Sequence, residues 1–81
     1  MKARVYVTLK RTVLDPQGQA VRSALVSQGF DHIADVRQGK YFEVSLSDGL
    51  SHEQAKQQID AAARDILTNP VIEDYRYEIC E

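Results

Sequence analysis

Apolar and polar residues alternate along the first ten positions of the chain. Val5, Val7 and Leu9 fall on one side of an extended backbone, and the polar side chains between them fall on the other. A repeat of two residues is typical of a strand with one buried face. The pattern therefore predicts a first strand over Lys2–Lys10.

The repeat changes to that of a helix after Asp15-Pro16. Asp15 suits the N-cap, because its carboxylate can accept from the free N–H groups of the first turn, and Pro16 suits the first helical position. Gly29 suits the residue after the helix, where a positive φ is common. These signals predict a helix from about Pro16 to Gln28. The face expected to be buried is formed by Ala20, Val21, Ala24, Leu25 and Gln28.

Two further strands are predicted at Ala34–Arg37 and Tyr41–Ser47. In the second of them, apolar residues alternate regularly with more polar ones, as in a strand that is buried on one side. The residues between the two strands are Gln38-Gly39-Lys40, and a glycine at this place predicts a tight reversal of the chain.

A second helix is predicted to begin at Ser51, whose hydroxyl can form a capping box with Gln54. It is predicted to end at Asn69-Pro70, because proline cannot continue a helix. The last strand is predicted at Val71–Ile79. The face of the second helix expected to be buried consists of Ala55, Ile59, Ala62, Ala63, Ile66 and Leu67.

The predicted order of elements is β-α-β-β-α-β within a single domain, residues 1–81. This order is typical of the ferredoxin-like α+β fold, in which two helices cover one face of a four-stranded antiparallel sheet. The other face of such a sheet stays open, and large side chains there indicate a second copy or another partner. The side chains predicted on this open face are Tyr6, one of Tyr41 and Phe42, and also Tyr75 and Tyr77.

The composition narrows the class of protein. Of the 81 residues, 43% are hydrophobic and 27% are charged, which is typical of a soluble globular domain. Ten basic and twelve acidic residues give a net charge of −2, which argues against nucleic acid and anionic membranes as partners. No apolar run reaches about 18 residues, so no transmembrane span is predicted. The alternating start argues against a signal peptide, and we expect a cytoplasmic protein.

The sequence shows no pattern that is typical of catalysis or metal binding. Its four glycines are isolated and do not form a phosphate-binding loop. His32 and His52 have no second ligand at the spacing of a metal site. Cys80 lies near the chain end, which lacks the enclosed setting of a catalytic thiol. We therefore expect no catalytic residue, no bound cofactor and no metal.

The residues alone leave two interpretations open. One is a non-catalytic interaction domain that binds through its open, aromatic face. The other is a regulatory domain of the same fold that binds a small ligand. Its effector site would lie at the Asp15–Gly18 turn, because N–H groups at a helix N-terminus can hold an anion.

Four segments together carry a more specific signal, by their order and spacing. They are Val5–Lys10, Val13–Gly18, Asp35–Lys40 and Asn69–Tyr75. Through them the chain resembles, over its whole length, the small S subunit of phosphoribosylformylglycinamidine (FGAM) synthase, the PurS family. The Leu-Asp-Pro-Gln-Gly run and the Val-Ile-Glu-Asp-Tyr run are the most specific parts. Arg11-Thr12 is a modest departure, at a place where the family varies.

The resemblance implies a role in de novo purine biosynthesis. FGAM synthase is a ligase that converts formylglycinamide ribonucleotide, glutamine, ATP and water into the formylglycinamidine ribonucleotide, glutamate, ADP and phosphate. The resemblance implies that the large synthetase subunit, PurL, binds ATP and magnesium, and that the glutaminase subunit, PurQ, releases ammonia. The small subunit then has no catalytic residue or cofactor of its own. It bridges the other two, supports ammonia transfer, and self-associates as a dimer or a dimer of dimers.

Subunit interfaces are accordingly the sites to expect in this chain. Cations cluster at the predicted strand ends and turns, and we expect them to contact the synthetase subunit. The open sheet face and the last strand are expected to pair protomers. The candidate interface residues are Tyr6, Lys10, Arg11, Arg37, Lys40, Tyr75 and Tyr77.

Overall fold

The computed structural model describes residues 1–80 and contains one antiparallel sheet and two helices. In chain order the elements are β1 (Lys2–Leu9), α1 (Pro16–Ser27), β2 (Gly39–Ser45), α2 (His52–Ala62), a π-helical turn (Ala63–Leu67) that continues α2, and β3 (Glu73–Cys80). The strands lie in the order β2-β1-β3, so β1 is central and both of its neighbours are edge strands. The α+β class and the antiparallel sheet are thus confirmed.

The predicted fourth strand is not confirmed, since the sheet has three strands and Ala34–Arg37 belongs to none of them. The hydrogen bonds of this segment and of the residue that follows explain why. Val36 N–H donates to the side chain of Asp35, and Gln38 N–H donates to the carboxylate of Asp15. The segment is therefore tied to the start of α1 instead of pairing with a strand.

The reversal predicted at Gly39 is wrong, because Gly39 begins β2 and pairs with Thr8 of β1. Glycine is nevertheless required at this position for a different reason. A Cβ atom at Gly39 would overlap the carbonyl oxygen of Val7, so a side chain would push the two strands apart. The glycine therefore serves close strand pairing.

The core lies between the sheet and α2. From β1, Ala3, Val5 and Val7 are fully buried, and α2 with its π-helical turn adds Ile59 and Ala63. Half-buried side chains surround this centre, namely Phe42, Val44, Leu46, Leu67, Tyr75, Tyr77 and Ile79. The alternation in β1 thus correctly predicted which of its faces is buried.

Strand pairing decides which tyrosines share a face. Directly paired residues lie on the same side of a sheet, and Val5 pairs with Tyr77 while Val7 pairs with Tyr75. Both tyrosines therefore lie on the face that α2 covers, and the prediction that they lie on the open face is wrong. Tyr6 pairs with Tyr41, and both lie on the open face as predicted.

The helix α1 forms where it was predicted, but it does not cover the sheet. Asp15 caps its first turn and Gly29 follows it with a φ of 98°. Of the face predicted to be buried, only Leu25 is half-buried, and the remainder is exposed. The prediction of two helices on one sheet face is therefore wrong for the single chain, in which α2 alone packs extensively on the sheet.

The overall shape is elongated as a result. The Cα radius of gyration is 16.1 Å and the principal extents are 50 × 26 × 14 Å. A compact domain of this length has a radius of gyration of about 12 Å. The excess shows that part of the chain projects from the body formed by the sheet and α2.

The π-helical turn changes which residues of the second helical segment face the sheet. Ser51 and Gln54 form the predicted capping box, and Ala55 and Ile59 are buried as expected. Leu67 packs against the core as expected, but Ile66 is 79% exposed. A π-helical turn takes more residues than an α-helical turn, so after Ala63 the side facing the sheet is reached at Leu67 and not at Ile66.

Candidate interaction surface

The open face of the sheet carries an aromatic pair at its centre. The rings of Tyr6 and Tyr41 have centroids 5.3 Å apart, and the guanidinium of Arg76 lies 4.0 Å from the centroid of the Tyr6 ring. The hydroxyl of Tyr6 donates to the Glu78 carboxylate at 2.7 Å, and this bond raises the pKa of Tyr6. Tyrosine and arginine are enriched among residues that carry binding energy at protein interfaces.

Charged side chains on the open face are matched across the strands. Arg4 of β1 pairs in register with Glu43 on one side and with Glu78 on the other. Lys2 forms an ion pair with Glu43 at 2.7 Å, and hydrogen bonding to that lysine lowers the pKa of Glu43. The open face is therefore polar, and its positive and negative side chains balance one another. It differs from an apolar sheet face that needs a further layer to bury it.

Three of the predicted interface cations lie at one end of the sheet, where Lys10 and Arg11 follow β1 and Lys40 is the second residue of β2. Lys10 forms an ion pair with Asp74 at 3.2 Å, and Lys40 forms one with Glu73 at 3.4 Å. Arg11 is exposed in the turn that follows β1. The exposed pair of Lys10 with Asp74 contributes little to stability, so Lys10 can exchange partners at small cost. The Glu73 carboxylate beside Lys40 is only 12% exposed and also accepts from Asn69 N–H.

Arg37, the fourth predicted cation, is bound to the backbone of its own chain. Its Nη2 donates to the carbonyl oxygens of Lys10 and Val13, each at 2.9 Å. On the other side of the same loop, the buried carboxylate of Asp15 accepts from Gly18 N–H at 2.9 Å and from Gln38 N–H at 2.7 Å. We call this arrangement, formed by Asp15 and Arg37 with their backbone partners, the Asp15–Arg37 clasp.

The electrostatics of Asp15 follow from these contacts. Its pKa is lowered chiefly by the hydrogen bond from Gln38 N–H, then by the bond from Gly18 N–H, and also by the positive charge of Arg37. Both bonds favour the ionised carboxylate. Asp15 is therefore a structural anion that joins the start of α1 to the chain before β2.

A shallow crevice of about 200 Å³ lies at the proposed effector site of the regulatory interpretation. It is lined by Leu9, Asp15, Gln17, Gln38, Gly39, Lys40 and Glu73. Sites for drug-sized ligands are usually larger, about 300–1,000 Å³. The N–H groups of Gly18 and Gln38 already donate to Asp15, so these two donors are not free to hold an anion.

Within residues 1–80, no three His, Cys, Asp or Glu side chains lie close enough together to hold a metal ion. In the same part of the chain, no helix has the length and apolar character needed to cross a membrane. Cys80, at the end of β3, is half-buried and forms no disulfide within this range.

Comparison with known proteins decides the family. The family profile described as "PurS: Phosphoribosylformylglycinamidine (FGAM) synthase" matches residues 2–81. The chain belongs to the PurS family. It is thus a PurS-type subunit of FGAM synthase, an enzyme of purine biosynthesis.

Individual PurS proteins agree with this assignment in sequence and in structure. The phosphoribosylformylglycinamidine synthase subunit PurS of Bacillus subtilis (strain 168) is 44% identical over 84 residues, covering 99% of this chain and 93% of that protein. A B. subtilis PurS crystal structure superposes with a TM-score of 0.84 at 45% identity, covering 99% of this chain and 98% of the other. The structure of PurLQS from Thermotoga maritima contains a chain with a TM-score of 0.86 at 25% identity, with coverages of 95% and 93%.

Several exposed apolar side chains of this PurS chain were missed as candidate interface residues. Leu14 is 72% exposed, Val71 is 79% exposed, and Phe30, just after α1, is also exposed. Leu14 and Val71 lie in the two loops that a hydrogen bond from Lys10 N–H to the Ile72 carbonyl holds together. For Leu14 and Val71, the signal that could have indicated an interface was an apolar residue next to a turn.

Proposed function

We propose that the chain is the non-catalytic adaptor of the FGAM synthase complex, bridging the synthetase and glutaminase subunits and supporting ammonia transfer between them. The observation that carries the proposal is the likeness to a chain of the Thermotoga maritima PurLQS structure. The ionisable groups described above add support, because Asp15 and Arg37 are bound to backbone groups of the chain itself.

In this proposal the chemistry belongs to the partner subunits. PurL binds ATP and magnesium, and PurQ releases ammonia from glutamine. Ammonia reaches the second site without loss only if the two sites are held in a fixed orientation and shielded from water. A rigid adaptor supplies that orientation, and the complex functions in the cytoplasm.

We infer that the chain also self-associates, because two of its surfaces lack the cover that a helix and a sheet normally have. On the face where α2 packs against β3, the β2 side chains Phe42 and Val44 remain only half-buried. Val21 and Val26 of α1 are exposed. A second copy supplies what each surface lacks, if α1 of each copy covers the β2 side of the other under twofold symmetry.

This exchange also accounts for the two-helix layer predicted from the sequence. A helix from a second copy would lie beside α2, so that two helices cover the sheet as in a ferredoxin-like arrangement. We propose that this arrangement forms between copies, as a dimer or as a dimer of dimers.

The adaptor role is tested by reconstitution with PurL and PurQ. Glutamine-dependent FGAM synthesis is measured with and without this chain, and added ammonium serves as the control substrate. The expected result is a loss of glutamine-dependent synthesis without the chain, while ammonium-dependent synthesis persists. Undiminished glutamine-dependent synthesis in its absence would contradict the adaptor role.

The cation contacts are tested by charge reversal. Arg11→Glu and Lys40→Glu are expected to weaken binding to the synthetase subunit while self-association stays intact. Lys56→Glu, at an exposed position on α2, is the matched control. Equal binding by all three variants would show that these cations do not contact the partner.

Self-association is tested by sedimentation equilibrium. Val21→Glu places a charge on the exposed face of α1 and is expected to shift the protein toward its monomer mass of 9.2 kDa. The control is Gln57→Glu, at an exposed position on α2. An unchanged mass for the Val21 variant would show that α1 does not lie in the interface.

A further inference from the structure

The attachment of α1 to the body of the molecule is mainly polar. Its contacts with the strands are few, and its apolar side chains are mostly exposed. The helix is held by hydrogen bonds to the irregular segment 33–38. At the start of α1, the Asp15 carboxylate accepts from Gln38 N–H, and further along the helix Arg22 Nε donates to the Ile33 carbonyl at 3.0 Å. The direction of α1 therefore depends on a small number of defined hydrogen bonds.

The first turn of α1 lies directly against this segment. A Cβ atom at Gly18 would overlap the carbonyl oxygen of Val36 and would approach the Asp15 side chain at 2.8 Å. Gly18 is also the one buried residue of the helix. The close approach leaves little freedom for α1 to tilt about its N-terminus.

The loop that enters α1 is held from the opposite side. Both bonds from Arg37 Nη2 end on carbonyl oxygens of this loop, at Lys10 and Val13, and Val13 N–H in turn donates to the Lys10 carbonyl at 2.9 Å. Since Arg37 and Gln38 are adjacent, consecutive residues grip the loop before the helix and the N-cap of the helix. The chain is thus held at two points, before the helix by Arg37 and at the N-cap by Gln38 N–H. Two points of attachment fix the direction of α1, whereas a single one would let the helix rotate about it.

We propose that the Asp15–Arg37 clasp sets the direction in which α1 projects and thereby determines whether two copies can associate. Asp15 and Arg37 are then positioning residues for the interface, although neither lies on the exposed face of α1. The second half of this inference rests on the proposed self-association. If an open clasp leaves α1 correctly directed for about a tenth of the time, the apparent Kd rises roughly tenfold per copy, and roughly a hundredfold for the pair.

The decisive variant separates the N-cap from the clasp. In Asp15→Ser the short hydroxyl can still accept from Gly18 N–H, as serine does at N-caps, but it cannot also hold Gln38 N–H. Asp48→Ser, at an exposed loop position, is the matched control. If Asp15→Ser lowers the helix content by circular dichroism, Arg37→Gln, which leaves the N-cap untouched, replaces it.

Two readouts are measured on each variant of the full chain. Spin labels are attached at Ser27→Cys in α1 and Ser45→Cys in β2, and Cys80→Ser removes the native thiol. Pulsed electron paramagnetic resonance then measures the distance between α1 and β2, and dilution with unlabelled protein limits the signal to one chain. Sedimentation gives the dissociation constant. We expect a narrow distance distribution in the parent and the control, and a broad one with a Kd raised roughly a hundredfold in Asp15→Ser.

The outcomes distinguish this inference from the self-association on which it rests. A parent protein that stays monomeric at every concentration would contradict self-association, while the distance distribution would still test the clasp. An Asp15→Ser variant with the parent's distance distribution and Kd would overturn the clasp as a positioning device. Exchange of the β1 amides, measured alongside, should stay slow in every variant if only α1 is released.

Discussion

The hydroxyl of Tyr75 donates to the carboxylate of Asp60 at 2.9 Å, and this bond joins β3 to α2 across the two layers of the molecule. Arg64, one helical turn further along, lies 3.5 Å from the same carboxylate. Hydrogen bonding to Asp60 raises the pKa of Tyr75. Tyr75, expected from the sequence to face a partner, is therefore a link within the chain.

Replacing Tyr75 by Phe should test this link. We expect Tyr75→Phe to lower the free energy of unfolding by about 1 kcal/mol, since it removes the donor and leaves the ring in place. Urea denaturation measures the change. Tyr41→Phe is the control, because the Tyr41 hydroxyl lies on the open face and contacts Glu43 only at 3.5 Å. Equal losses in the two variants would contradict a specific role for the Tyr75 bond.

Acid should weaken the contribution of Asp15 to stability. The pKa of Asp15 is lowered in the folded chain from its ordinary value of 3.8. A carboxylate with a depressed folded pKa contributes stability above the unfolded value, and the contribution is lost as the pH falls through the folded value. The difference in unfolding free energy between the parent and Asp15→Asn should therefore shrink below pH 3.8. A difference that stays constant from neutral pH into strong acid would refute this linkage.

Two isoleucines of the second helical segment should respond very differently to truncation. Ile59 is 3% exposed and lies in the core, whereas Ile66 in the π-helical turn is 79% exposed. We expect Ile59→Ala to cost about 3 kcal/mol of unfolding free energy and Ile59→Val about 1 kcal/mol. Ile66→Ala should change it by less than about 0.5 kcal/mol. Thermal and urea unfolding provide the comparison, and a large loss for Ile66→Ala would mean that the π-helical turn is absent in solution.

Gly18→Ala should destabilise the chain although alanine favours helices. In an exposed helix the exchange gains about 1 kcal/mol, but here the new Cβ would overlap the Val36 carbonyl oxygen. We expect the overlap to outweigh the propensity gain, giving a lower melting temperature. Ser23→Ala, at an exposed position within the same helix, is the control and should leave the melting temperature unchanged or slightly raised. A stabilised Gly18→Ala variant would contradict the close contact with Val36.

Elements with local signals could be predicted from the sequence. The alternation of β1, the N-cap at Asp15 and the capping box of Ser51 with Gln54 each depend on residues only a few positions apart. Their physical causes, side-chain parity and the free N–H groups of a helix start, are contained in the segment itself. These predictions are confirmed with small shifts of the element ends.

Features that depend on distant partners could not be predicted. The segment at Ala34–Arg37 has the composition of a strand, but its neighbour Gln38 is bound by Asp15, which lies 23 residues earlier in the chain. The face on which Tyr75 lies follows from its register with Val7, which no local pattern reveals. The exposure of α1 likewise could not be predicted, because the spacing of its apolar residues is that of a buried helix. Its direction is set by the contacts of its first turn with the segment before β2.

Where the candidate interface residues lie in the fold was predictable in part, for the same reason. Tyr6 was correctly placed on the open face, because its parity in β1 is a local property. Arg37 was selected by its charge, yet its guanidinium is bound to two backbone carbonyls. Whether a cation is free for a partner depends on such contacts, which composition does not contain.

The π-helical turn at Ala63–Leu67 changes which side chains at the end of the second helical segment face the sheet. Ala63 lies in line with the buried Ala55 and Ile59, and Leu67, at the end of the turn, also packs against the core. A regular α-helix over the same residues would place Ile66 on the side of Ala63, toward the sheet, because residues three apart share a helix face. The π-helical turn thus directs the large aliphatic side chain of Ile66 outward without disturbing the packing of the residues before it.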